Sequence, residues 1–228
     1  MGEPNAPEVV GSKSADRGCF HSVRMISFHR MEPANLKGRP GLMPAVSLVW
    51  KRIDHPGHEW CSLTRHSAGA TLQGVAVVQW ERRPCRIEYI IRCNAEWETR
   101  TVLLMGNIGT KRVAIHIKAD SKGHWLYNGE GLSSVQGCID VDLGFSPSTN
   151  LLPINRLQLL PGQTQEVTAA WVAFPSLKVK ALRQRYTRID AENIHYESAG
   201  GKFKRDLRIN RHGFVLDYPD FWQVEDMI

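Results

Sequence analysis

From Val46 onward the chain alternates apolar and polar residues in short runs, and the runs are joined by links too short for a helix. That constraint leaves little choice of fold. Period-two alternation marks a strand with one buried face. Links of two to five residues suit hairpins, whereas parallel crossovers need a dozen or more. The runs are VSLVWKRI (46–53), EWCSLTRHS (59–67), ATLQGVAVVQWE (70–81), Cys85–Arg92, Trp97–Met105 and Arg112–Lys118. After a less regular middle they resume as VTAAWVAF (167–174), LKVKALRQRYTRI (177–189), NIHYES (193–198), KFKRDLRI (202–209) and FVLDY (214–218). HPGH (55–58), GNIGT (106–110), DSKGH (120–124) and NGEG (128–131) supply turns. Faces are assignable inside the runs. Ile87, Tyr89 and Ile91 point one way, as do Phe203, Leu207 and Ile209.

One short helix is predicted, LLPINRL (151–157), with Thr149-Asn150 as its cap and Pro153 in the first turn, where a missing N–H does no harm. About a dozen strands without further helices must roll or close to hide an apolar face and two edges. The predicted fold class is therefore mainly β, a large antiparallel sheet rolled around a single short helix. A rolled sheet encloses volume that side chains, a helix or a ligand must fill.

Residues 1–44 differ. They are rich in Gly, Pro, Asn and Ser, and the apolar patch Val23, Met25, Ile26 and Phe28 has no evident partner. They are read as a disordered or weakly ordered tail before a domain at 45–228, with Met43 as an alternative start. The first twenty residues hold Glu3, Glu8 and Asp16 and no apolar core of a secretory signal. No apolar run approaches the roughly 18 residues of a spanning helix. A cytoplasmic location and no membrane span are the expectation. Five cysteines, an odd number without a C-x-x-C pair, are read as reduced thiols. The net charge of +6 is scattered, which does not suggest a nucleic-acid face.

The most distinctive block is GCIDVDLGFSPSTNLLPINRLQL (137–159). It resembles the central signature of the glycolipid-binding family of spiral β-roll proteins, formerly a domain of unknown function. VWKRIDHPGHEWCSL (49–63), SKGHWLYNGE (121–130), LRQRYTRID (182–190) and GFVLDYPDFW (213–222) match the same family in order, covering nearly all of 46–224. Ser148 departs from the pattern, which has a bulkier residue there. The resemblance implies many strands wrapped around one helix, a homodimer, and a likeness to bacterial lipoprotein-carrier folds. By analogy of fold it implies a lipid or glycolipid held on the concave face without catalysis.

Asp140 and Asp142 flank Val141 and so point to one face, about 7 Å apart. Paired carboxylates suit a metal or acid–base chemistry. No calcium-loop or zinc spacing accompanies them, so no metal and no cofactor is expected. The favoured reading is structural, with Thr149, Asn150 or Arg156 as partners. Arg156 would then pair with one of them, or else meet a headgroup. Candidate ligand contacts are Trp97 and Trp171, picked for the interior, together with Asn150, Arg156, Tyr186 and Tyr218. Asp140, Asp142, Thr149, Pro153 and Pro219 form the structural motif. Two alternatives to a binder stay open: an assembly module that dimerises, and an enzyme built on Asp140 and Asp142.

A chain begun at Met43 is expected to keep the far-ultraviolet β signature. Its melting temperature should fall within about 2 °C of the full chain, the shift that less than 1 kcal/mol produces at this size. Circular dichroism with a thermal scan checks it. Loss of the cooperative transition would show that residues 1–42 belong to the folded unit.

Overall fold

The computed structural model describes residues 45–227. In chain order these form β1 (Val46–Arg52), β2 (Gly57–His66), β3 (Gly69–Trp80), β4 (Arg83–Cys93), β5 (Thr99–Ile108), β6 (Lys111–Ala119), β7 (Trp125–Tyr127) and β8 (Glu130–Gly131). Then follow β9 (Val141–Leu143), α1 (Leu151–Leu157), β10 (Thr164–Ala173), β11 (Lys178–Arg188), β12 (Asn193–Ser198), β13 (Phe203–Ile209), β14 (Val215–Tyr218) and β15 (Trp222–Met227). The expected tail at 1–44 and Cys19 lie outside the described residues.

All fifteen strands belong to one sheet, ordered β8-β7-β6-β5-β4-β3-β2-β1-β15-β14-β13-β12-β11-β10-β9. Two antiparallel meanders are thus zipped together where β1 meets β15, with Leu48 opposite Met227 and Arg52 opposite Trp222. The last strand was missed in the sequence, because the alternation of Trp222 and Val224 with Gln223 and Glu225 is short and ends at Asp226; its pairing with β1 makes it a strand.

This order forces the roll. The two outer edges, β8 and β9, are consecutive in the chain and separated only by residues 132–140. Extended chain across that gap spans at most about 35 Å. Fifteen flat strands would hold their edges roughly 67 Å apart. The sheet therefore curls until its edges approach. It does not close, for β9 pairs with β10 alone and in parallel. The linking segment is instead stitched to the first meander: Thr99 N–H donates to Ile139 O (3.2 Å), Val141 N–H to Thr99 Oγ1 (3.0 Å), and Trp125 Nε1 to Cys138 O (2.9 Å).

As a result β9 and β10 are covered on both faces. Val141, Leu143, Ala170 and Val172 join the main core with β1–β6, whereas Tyr186, Ile194, Tyr196, Leu207, Ile209 and Val215 form a second cluster. Burial on both faces is ordinary for a parallel pair and explains why Ala169 and Ala170 are both sealed.

The turns are tighter than their residues advertise. Glu81 and Arg82 close the β3–β4 hairpin with both φ positive, a conformation that Asn and Gly normally supply. The GNIGT segment mostly continues β5, and its turn is Gly109-Thr110. Asn150 stands at the N-cap position of α1, but its side chain makes no cap hydrogen bond. A 3-10 turn at Ser148–Asn150 precedes α1, so Asn150 already has helical φ and ψ (−58°, −27°) and its side chain is free to bond elsewhere.

The concave face around α1 is filled by side chains, including the fully buried Trp50, Tyr89, Phe145, Phe214, Leu151 and Leu152. The indole of Trp50 donates to Val215 O at 2.7 Å and meets Phe214 edge-on at 5.9 Å. A polar knot lies inside this core. Glu59 Oε1 accepts from the hydroxyls of Tyr89 and Ser146, each at 2.6 Å, and Ser148 lies 2.9 Å from Tyr89 and 2.6 Å from Ser146. Ser148 is thus one corner of a buried hydroxyl network. It joins β2 and β4 to the turn before α1.

Burial pushes the Glu59 carboxyl up to about 8, against the smaller opposing pull of Ser146, Tyr89 and Arg52. The unfolded carboxyl titrates near 4.5. Stability from this group is therefore full below about pH 4.5 and is lost as the pH rises toward 8. The slope is at most about 1.4 kcal/mol per pH unit. Glu59→Gln is expected to remove that decline. Urea unfolding of both proteins from pH 5 to 8 checks it, and parallel pH profiles would mean that Glu59 is already ionised in the fold.

Candidate functional site

The DVD segment at β9 is the polar heart of the second cluster. Asp140 is buried and gripped in a fork by Arg156 of α1, Nε to Oδ1 at 3.1 Å and Nη2 to Oδ2 at 2.5 Å. Asp142 accepts from Gln184 Nε2 at 2.6 Å and from the Thr149 hydroxyl at 3.5 Å. Both carboxylates act on Tyr186. Burial first, then Tyr196, Asp142, Tyr218 and Asp140, holds its phenol well above the usual range. The two aspartates thus share a face, as period two requires.

Burial raises Asp142 to about 6, with Gln184 and Thr149 opposing. It also raises Asp140, against the pull of Arg156. Each aspartate has its own partner, which is the geometry of a loop pinned to a sheet. Thr149 completes the pin by accepting the Leu143 N–H at 3.1 Å. Among the described residues no group of three or more His, Cys, Asp or Glu is placed to hold a metal ion.

Several expected residues do converge here. Asn150 Oδ1 accepts from the Tyr186 hydroxyl at 3.1 Å, and its Nδ2 donates to Pro147 O at 3.2 Å. The Tyr186 ring lies 5.1 Å from Tyr196, which lies 6.3 Å from Tyr218, and the ladder continues through Phe203 to Phe221. Pro219 takes part through its carbonyl, which accepts from Arg205 Nε at 3.2 Å. Pro153 is buried inside α1. Gln184 and Tyr196 complete the cluster; only their alternation with exposed arginines and Glu197 marked them.

The two tryptophans picked for the interior are elsewhere. Trp50, Trp125 and Trp222 are the buried ones, while Trp97 and Trp171 are half-buried. Trp97 is in a turn with φ +65°, under the guanidinium of Arg65 at 5.0 Å. Trp171 is half-buried opposite Asp142 in the parallel register and lies over Gly144, where a Cβ would sit 2.6 Å from its indole nitrogen. Trp97 was misplaced because it lies in the turn before β5, and Trp171 because a strand-like run does not say which face looks inward.

An open depression of about 690 Å³ lies where β1, β13, β14 and β15 end beside the β11–β12 turn. Its apolar lining includes Val46, Ile209, Leu216 and Met227; Glu192, Arg208, Arg211 and His212 are its charged and titratable lining groups. Val46 borders the main core and Ile209 belongs to the second cluster, so the depression reaches both. Its rim is built from the helix. Asn155 Nδ2 donates to His212 O at 3.0 Å, and Arg65 Nη2 donates to Asn155 Oδ1 at 3.0 Å. Gly213 makes this possible, since a Cβ there would lie 2.4 Å from Asn155 Nδ2 at a φ of +88°. No local sequence pattern pointed to this site, because its residues come from five separate segments.

The family of the chain is shown by its sequence. The model described as "Putative glycolipid-binding" matches residues 47–224, and the chain belongs to that family. The crystal structure of a DUF1089 family protein from Pseudomonas aeruginosa is 34% identical, covers 72% of this chain and 91% of its own, and superposes with a TM-score of 0.66. A beta-barrel-like protein of the domain of unknown function DUF1849 from Brucella abortus is 11% identical. It covers 80% of this chain and 96% of its own, with a TM-score of 0.52, and shares the fold alone. No curated protein matches the chain.

Arg156→Ala leaves the Asp140 carboxylate buried without its partner and is expected to cost roughly 3–5 kcal/mol. Asp140→Asn combined with Arg156→Met should recover most of that loss. Urea denaturation of wild type and the two variants checks it, and a single-variant cost below about 1 kcal/mol would place the pair in effective contact with water.

Proposed function

We propose that this protein is a non-catalytic binder of a lipid-like amphiphile, and that the depression beside Ile209 and Leu216 receives the hydrocarbon. The observation that carries the reading is an apolar floor in an opening of ligand size, about 690 Å³, within the roughly 300–1,000 Å³ usual for small-molecule sites. Membership of a family described as glycolipid-binding supports it. The concave interior is a poorer place for an acyl chain, because side chains already occupy the space around α1. The site is therefore moved to the end of the roll.

Catalysis by Asp140 and Asp142 finds no support, since each is committed to Arg156 or to Gln184 and Thr149. The four cysteines among the described residues are buried and unpaired, which fits a reducing, cytoplasmic setting. Arg183 and Arg185 of β11 are tied to Glu166 and Glu197, which fits a protein that does not bind nucleic acid.

A second reading, assembly into a homodimer, is favoured by the outer sheet face. There Val49, Trp60 and Val75 are direct cross-strand neighbours, and Trp60 and Val77 are 40% and 54% exposed.

Native mass spectrometry of the purified protein is expected to show a bound lipid mass. Leu216→Asp combined with Val46→Asp should lose it while the β signature of the fold is kept. The same spectra give the subunit count. An unliganded dimer in wild type would transfer the weight to assembly.

A further inference from the structure

Magnitudes show that hydrocarbon alone is not enough at this site. A fully buried ten-carbon chain yields about 8 kcal/mol gross, and association takes back at least about 4. The remainder corresponds to a dissociation constant near millimolar. The head of the ligand must supply the rest, so the rim decides what is bound.

The rim is cationic on one side. Arg208, at the end of β13, and Arg211, in the turn after it, line the depression with His212 between them and the floor residue Leu216. Neither arginine makes an ion pair among the described residues within 4.0 Å, although Asp217 stands opposite Arg208 in the ladder. Arg211 uses Nε on His212 Nε2 at 3.1 Å, which fixes the imidazole as an acceptor and leaves the two terminal nitrogens of the fork free. His212 is in turn held by its carbonyl to Asn155 and Arg65. The one acid in the lining is Glu192, on the opposite turn. A planar, positioned guanidinium beside apolar surface suits a phosphate or carboxylate oxygen pair, and matches a neutral sugar less well.

We infer that the ligand is an anionic amphiphile, with its phosphate or carboxylate head on Arg208 and Arg211 and its chain over Ile209 and Leu216. This rests on the amphiphile reading above and narrows it to a charge class. Burial, Arg211 and Arg65 together hold the His212 imidazole below its ordinary value, so the ring is neutral near pH 7 and accepts from Arg211. An anion placed at this rim would oppose the two guanidinium charges and raise that value.

The test compares decyl phosphate, decyl glucoside and inorganic phosphate by calorimetry and by histidine NMR, on wild type and on Arg208→Gln combined with Arg211→Gln. Both arginines are exposed, so the variant is expected to fold. Decyl phosphate should bind wild type at least tenfold tighter than decyl glucoside. It should shift the His212 resonance and its titration upward, and lose that advantage in the variant. Equal affinity for the two decyl probes would overturn the charge class and leave amphiphile binding standing. Binding of inorganic phosphate as tight as decyl phosphate would overturn the role of the chain. Failure of all three to bind would remove both readings.

Discussion

The short link between β8 and β9 is the constraint on which the rest of this structure depends. Nine residues must connect the two outermost strands of a fifteen-stranded sheet. Hydrogen bonding fixes the strand spacing and the peptide fixes the reach, so curling is the one way to satisfy both. Once the sheet curls without closing, its inner edge is laid into its own concavity. The inner strands then need apolar residues on one face for the main core and a second, partly polar face toward the far wall. Val141, Leu143, Ala170 and Val172 answer the first need, and Asp142, Gln184 and Tyr186 the second.

Polar groups trapped by that geometry have been paired rather than avoided. Asp140 holds Arg156, Asp142 holds Gln184 and Thr149, and Glu59 sits among Tyr89, Ser146 and Ser148. These three networks converge on the residues from Asp140 to Arg156, the block that carries the resemblance to the glycolipid-binding family. The block serves as a plug. It seats the helix, fills the hollow, and through Asn155 positions His212 at the mouth. A packed interior and a shaped opening are two consequences of one element.

Most of the candidate site was legible only in part. Asp140, Asp142, Thr149, Asn150 and Arg156 stand within seventeen residues, so local pattern placed them together, and the structure shows them bonded much as their chemistry requires. Asn150 holds the N-cap position that Asn before an apolar run signals, but the 3-10 turn ahead of it gives it helical angles and turns its side chain to other partners. Trp97 was misread because it belongs to the turn before β5, and Trp171 because a large ring in a strand-like run has an even choice of faces. Gln184 and the depression were missed, since their meaning comes from strands distant in sequence.

Alternation and turn spacing by themselves determined that the chain is β-rich, where most of its strands run, and which side chains share a face, because these follow from the two-residue period of an extended backbone. The family followed from residues 46–224 read in order. Only the tertiary structure decided that β1 pairs with β15, that β9 is an inner edge, that the concavity is filled, and that an apolar floor meets two arginines at one end. These are long-range facts. Strand order and the contents of a rolled sheet depend on which edges meet, and the local pattern of a strand is the same whichever neighbour it acquires.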